Sequence, residues 1–191
     1  MANEFFALMG RMRYITRWGL MRNTFSENLT EHSYMTAVLA HALALIRRDI
    51  LNLEGPDPDR CAVAALYHDA SEILTGDLPT PVKYYNTDIK AAYKQLEHIA
   101  GNRVLDMLPP QLRSSYEHDV LEDDAVVRPI VKAADKLSAH IKCLEEQKTG
   151  NTEFDFAAQQ TWDAMKKMER PELEWFLENC LGAFTMNLDQ L

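Results

Sequence analysis

A chain of 191 residues is long enough to bury one sizeable core. Its 47% hydrophobic and 26% charged residues match ordinary globular proteins and exclude a disordered chain. A net charge of −9 excludes a nucleic-acid polymer as partner, because phosphate backbones demand clustered Lys and Arg.

No segment approaches the roughly 20 consecutive apolar residues that cross a bilayer, so no membrane partner is expected. The start, Met-Ala-Asn-Glu-Phe-Phe, lacks the basic opening of a signal peptide, and a cytoplasmic location is expected. Cys61, Cys143 and Cys180 are scattered, which fits small hydrophobes in helices rather than disulfides or a thiolate metal site.

Helical spacing of Phe5, Leu8, Met9, Met12 and Ile15 predicts a first helix from Phe5 to Trp18. Asn28, followed three residues later by Glu31, is a capping signal for a second helix that turns Met35, Val38, Leu39, Ala42 and Leu45 inward. Asp57-Pro58 opens a third, running through Cys61, Ala65 and Leu66 to Leu74 and stopping at Gly76. Gly76 to Pro81 is expected to be irregular, because its two prolines oppose regular helix. Further helices are predicted over 88–108, ended by Pro109-Pro110, and then over 124–147, 153–168 and 171–181. Nothing alternates like a strand. The expectation is an all-α, single-domain bundle over 1–191, with a functional core at about 5–147 and the helices of 153–181 packed on it.

Three places put acids or imidazoles where helices should be apolar. His68-Asp69 lies at the end of the third helix, with Glu72 one turn beyond His68. Imidazole plus carboxylate suits a borderline or hard divalent cation. Neighbours on a regular helix diverge by about 100°, so both reach one ion only at a crevice or a distorted turn. His32 begins the second helix, and Asp135 interrupts Val131–Leu137; a bland alternative pairs Asp135 with Lys132 or Lys136 at the surface. A second pair, His118-Asp119, sits in a polar stretch without an apolar face and reads as surface decoration. His41, His98 and His140 suggest no role beyond solvated or structural histidine.

The order His32, His68-Asp69, Asp135 resembles the HD-domain superfamily of metal-dependent phosphohydrolases. Adding Arg17-Trp18, Glu31-His32-Ser33, Tyr67 to Glu72, Thr75 to Tyr84 and Lys132 to Asp135, the chain resembles the YfbR-type 5′-deoxynucleotidases over nearly its whole length. The resemblance implies an HD-type helical fold and hydrolysis of deoxyribonucleoside 5′-monophosphates. It implies one divalent cation, Co²⁺ or Mn²⁺, on His32, His68, Asp69 and Asp135. By the same resemblance Glu72, Asp77 and Arg17 are catalytic. Substrate then meets Arg17, Trp18, His32, Asp69, Asp77, Leu78, Pro79, Thr80 and Asp135, with Arg17 orienting the phosphate and Trp18 closing the space of a 2′-hydroxyl. A homodimer is implied too. The rival readings are another HD activity, a nucleoside triphosphohydrolase or cyclic-nucleotide phosphodiesterase, and a non-catalytic helical module holding a structural metal.

Overall fold

The computed structural model describes residues 3–83 and 85–191, apart from the side chains of Thr80 and Pro81. Among the described residues there are helices and turns but no strand, only an isolated antiparallel bridge between Thr16 and Asn28. The α-helices are α1 (Phe5–Met9), α2 (Leu29–Leu45), α3 (Pro58–Tyr67), α4 (Glu72–Thr75) and α5 (Thr80–Lys83), then α6 (Thr87–Leu105), α7 (Pro110–Leu121), α8 (Arg128–Lys148), α9 (Asp155–Lys166) and α10 (Pro171–Asn179). The all-α expectation holds.

Local signals account for most helix starts. Asn28 caps α2 by accepting from the backbone of Thr30 and Glu31, and Glu31 returns a bond to the Asn28 N–H. Asp57 caps α3, and prolines occupy the first turns of α3, α7, α8 and α10, where no intrahelical N–H is needed.

The centre of the molecule is where α2, α3 and α8 meet. Leu39, Leu43, Cys61, Ala65, Ile130, Ala134 and Leu137 form one apolar cluster there, joined by Met165 of α9 and by Leu173, Phe176 and Leu177 of α10. Small residues at Ala37, Ala40 and Ala44 let α2 approach its neighbours closely. A second cluster joins Phe5 and Ala70 to Val104, Leu105, Leu108 and Val120, so α1 and α7 close the end beside Asp69.

Five expectations are corrected. The first helix stops at Met9; Met12–Tyr14 is a 3₁₀ turn, and residues 15–28 form a loop tied by Arg17 N–H to Glu27 C=O (2.9 Å) and Leu29 N–H to Ile15 C=O (2.9 Å). On α2 the inward stripe is rotated: Val38 is half exposed, whereas His32, Ser33, Thr36 and Ala37 are buried. The third helix breaks after Tyr67 and restarts as α4. Proline also fails to exclude helix after Pro79, because Thr80–Lys83 is a helical turn that places Pro81 in its first turn. Finally, His118-Asp119 lies on α7, with Asp119 buried and held by both Arg60 nitrogens, Nη2 at 2.9 Å and Nη1 at 3.3 Å. His118 does face solvent, paired with Asp123.

A candidate metal centre

The break after Tyr67 explains how adjacent residues converge. From Tyr67 to Ser71 the backbone closes i to i+3 bonds, Ala70 to Tyr67 (2.9 Å), Glu72 to Asp69 (3.0 Å) and Leu74 to Ser71 (3.1 Å). This is a tightened turn rather than α-helix. It brings His68 Nε2 within 3.1 Å of Asp69 Oδ2. His68 Nδ1 donates to the Ala65 carbonyl (2.7 Å), fixing the ring and aiming Nε2 inward. That Nε2 is buried and faces Asp69 Oδ2 without a well-aligned hydrogen bond.

His32, fully buried on the first turn of α2, meets this group from the other side. Its Nε2 lies 3.1 Å from Asp135 Oδ1 of α8 and 3.8 Å from Asp69 Oδ2. Its Nδ1 lies 3.2 Å from Ser138 Oγ, one turn beyond Asp135. A hydroxyl can donate or accept, so Ser138 fits either imidazole tautomer and frees Nε2 to offer a proton or a lone pair. His32, His68 and Asp135 each present a ligand atom within 4.8 Å of the others. Asp69 contacts both imidazoles but stands outside that tightest group.

The electrostatics match the geometry. Burial and the Arg17 charge hold His32 below its usual range, outweighing the Asp135 bond. Burial also opposes charge on His68, but Asp69, Asp135 and Glu122 outweigh it and raise that imidazole. Against the pull of burial, the same imidazoles hold Asp69 and Asp135 far below the usual carboxylate range. Asp135 is thus paired with His32, and the surface pairing with Lys132 or Lys136 is not its main contact, although the Lys136 charge adds to its stabilisation.

The donor set fits a divalent cation. Two imidazole nitrogens, one of them buried without a well-aligned hydrogen bond, together with carboxylate oxygens are what such an ion requires, and each imidazole is oriented from behind.

Around this centre lie the other predicted residues. Glu72 is buried at the start of α4; its Oε1 accepts from Lys83 Nζ at 2.7 Å, while Oε2 is buried without a partner. Burial and the Asp69 charge push Glu72 up to about 8, against the Lys83 ammonium. Gly76, at φ +75°, turns the chain where an L side chain would be strained, and Asp77 follows half-buried. Burial raises its carboxyl while Arg17 and Lys83 oppose. Leu78 and Pro79 are half-buried beside it, and the Pro79 carbonyl caps α5; the Thr80 side chain lies outside the described residues.

Arg17 stretches between two acids, with Nη1 3.5 Å from Asp69 Oδ2 and Nε 3.3 Å from Glu27 Oε2. Trp18 has φ +56°, a left-handed conformation rare for a bulky residue. Its indole Nε1 donates to the same Glu27 Oε2 at 3.0 Å, and its ring packs on Phe154 with centroids 5.4 Å apart. Glu27, Lys83 and Ser138 were not singled out by sequence as parts of the site. Only Ser138, three residues after Asp135, carried a helical-spacing signal.

A helical bundle with a buried His/His-Asp/Asp cluster defines the HD-domain phosphohydrolase class. The YfbR-like 5′-deoxynucleotidase family model matches residues 4–184, and the chain belongs to that family. It is 45% identical to a 5′-deoxynucleotidase of Erwinia tasmaniensis, over 99% of this chain and 96% of that protein. Its fold is similar to an HD-domain phosphohydrolase from Listeria innocua, with a TM-score of 0.79 at 21% identity, covering 97% of this chain and 90% of that one. It is also similar to a cyanophage S-2L HD phosphohydrolase solved with dA and one catalytic Zn²⁺, with a TM-score of 0.66 at 20% identity over 92% and 95% of the two chains.

Proposed function

We propose that this protein is a divalent-metal-dependent 5′-deoxynucleotidase that hydrolyses deoxyribonucleoside 5′-monophosphates to deoxynucleosides and phosphate. The observation that carries the reading is Glu72: a buried carboxylate outside the tightest ligand cluster, held at one oxygen and free at the other. A purely structural metal site needs no such group.

His32, His68, Asp69 and Asp135 would hold the cation, which the family resemblance, rather than the donor set, assigns as Co²⁺ or Mn²⁺. When bound, such an ion polarises a phosphoryl oxygen and acidifies water. Glu72 orients the attacking water and takes its proton as the new P–O bond forms and the P–O5′ bond breaks. Asp77, its carboxyl raised by burial, is assigned to give a proton to the departing 5′ oxygen, which leaves as an alcohol. Arg17 offers planar paired donors for the phosphate oxygens. Trp18 stands against C2′ of the sugar, and Leu78, Pro79 and Thr80 border sugar and phosphate on a loop stiffened by prolines. The enzyme is proposed to work in the cytoplasm as a homodimer.

The test is phosphate release from deoxyadenosine monophosphate, its ribo counterpart, deoxyadenosine triphosphate and a cyclic nucleotide, with Mn²⁺ or Co²⁺ present or chelated. The expected result is metal-dependent release from the deoxy monophosphate, lost in Glu72→Ala while cation binding persists. Turnover of only the triphosphate or cyclic nucleotide, or full activity in Glu72→Ala, overturns the reading.

A further inference from the structure

One carboxylate oxygen holds both residues of the Arg17-Trp18 pair. Glu27 Oε2 accepts from Arg17 Nε at 3.3 Å and from Trp18 Nε1 at 3.0 Å, and its side chain is only 12% exposed. Two adjacent side chains that point from a loop toward one acceptor do not do so by default. Here Trp18 adopts φ +56°, a conformation that persists only when its surroundings hold it.

The surroundings are rigid. Arg17 N–H donates to the Glu27 carbonyl (2.9 Å), so backbone and side chain of Glu27 grip the same dipeptide. The Trp18 ring rests on Phe154, which is fully buried against α8. Farther round the loop, buried Glu146 of α8 accepts from the Thr24 N–H (3.0 Å) and hydroxyl (2.7 Å), and Lys142 Nζ donates to the Phe25 carbonyl (2.7 Å). The guanidinium fork, fixed at Nε, keeps its Nη1 directed at Asp69.

We infer that Glu27 is a positioning residue that couples phosphate binding by Arg17 to sugar discrimination by Trp18. Its oxygen sets the distance between the guanidinium that meets the phosphate and the indole that meets C2′. A wall excludes a hydroxyl only when it cannot move, so selectivity for deoxy over ribo substrates depends on this oxygen. The inference rests on the roles proposed above for Arg17 and Trp18.

The experiment compares kcat/KM for deoxy- and riboadenosine monophosphate in the unaltered protein, Glu27→Leu, Glu27→Gln, Trp18→Ala and the Trp18→Ala/Glu27→Leu double variant. Mn²⁺ affinity and thermal unfolding are measured on each. Glu27→Leu keeps the side-chain volume and the backbone bond but removes the acceptor. It is expected to lower the deoxy-to-ribo ratio about tenfold, the worth of one or two lost hydrogen bonds, and to raise KM for the deoxy substrate. Glu27→Gln, which retains an acceptor oxygen, should restore most of the ratio. In the Trp18→Ala background Glu27→Leu should leave the ratio unchanged.

If Glu27→Leu slows both substrates equally, or the ratio survives it, Glu27 is merely structural and the inference is overturned. Should Glu27→Leu not fold, Glu27→Met, which also lacks the acceptor oxygen, decides: a ratio lowered at unchanged Mn²⁺ affinity supports the coupling, and an unchanged ratio removes it. If the unaltered protein hydrolyses both substrates alike, the role given to Trp18 falls first and this inference with it. Discrimination that persists without Glu27 leaves that role standing.

Discussion

Lys83 Nζ lies 2.7 Å from Glu72 Oε1, an ion pair with 19% and 3% of the two side chains exposed. Lys83 belongs to α5, and α6 holds it from the far side: Tyr93 places its ring 4.9 Å below the ammonium and Glu97 lies 3.8 Å away. A carboxylate proposed to handle a water proton is therefore fixed at one oxygen by a cation that is fixed in turn. This leaves Oε2 as the oxygen free to work.

Replacing Lys83 should damage turnover more than binding. In Lys83→Met, Glu72 loses its partner and its orientation, and kcat is expected to fall about 10²-fold, the usual effect of misplacing a catalytic group by an ångström. KM and Mn²⁺ affinity should change little, because Lys83 pairs with no proposed ligand. Lys83→Arg should recover part of kcat. Steady-state kinetics with calorimetric Mn²⁺ titration checks this, and a Lys83→Met variant at full kcat refutes it.

The same pair sets a pH dependence. Glu72 must be ionised to accept a proton, so activity should fall as pH drops through its pKa. Burial and the Asp69 charge raise Glu72 to about 8, while the Lys83 ammonium lowers it. Removing that ammonium must raise it further. The acidic limb of kcat/KM is expected to move upward in Lys83→Met by roughly one to three pH units, and to stay in place in Lys83→Arg. Rate profiles from pH 5 to 10 at saturating Mn²⁺ measure the displacement; an unmoved limb removes Glu72 from the base role.

Ser138 acts on the centre from behind His32. Its Oγ, buried on α8, is 3.2 Å from His32 Nδ1 and decides which way the imidazole presents Nε2. Ser138→Ala should weaken Mn²⁺ binding about 10- to 100-fold, as loss of outer-shell partners does elsewhere, with kcat recovered at saturating ion. Activity titrated against Mn²⁺ reads both quantities. Unchanged affinity would show that Asp135 alone orients the ring.

What could be read from sequence followed range. The Asn28–Glu31 capping box and Asp57-Pro58 are local devices, and they start helices where expected. His32, His68, Asp69 and Asp135 stood out because polar groups interrupted apolar periodicity, and they do come together. The break after Tyr67 did not stand out, since Leu66 to Leu74 lacks glycine and proline and its helical spacing is intact. The helix over Pro110–Leu121 is hidden because Pro109-Pro110 reads as a stop, although Tyr116 and Val120 lie four apart. Asp119 looked exposed in its polar run; its partner Arg60 stands 59 residues away. Glu27 was equally silent, because its role lies in contacts with a loop folded back from ten residues earlier.

The anchor of the loop that carries Trp18 should also be sensitive to acid. Glu146, fully buried, accepts from Lys142, Asn151 and Thr24, and Lys142 lies 3.3 Å from the Phe25 ring centroid. Burial alone would raise Glu146, but these donors outweigh it and lower the carboxyl to about 2. A carboxyl lowered on folding contributes stability that is complete above its unfolded pKa, near 4.3, and is lost as pH falls toward 2. Thermal stability should therefore decline between about pH 4.5 and 2, with the fluorescence of a variant that keeps Trp18 as its single tryptophan changing in step. Glu146→Gln should flatten that part of the curve and lower stability at pH 7 by about 3–5 kcal/mol, because it strands the buried Lys142 charge. Scanning calorimetry across pH 2 to 7 on both proteins tests it. An acid limb that persists unchanged in Glu146→Gln would assign the effect to other carboxylates, the depressed Asp69 and Asp135 first among them.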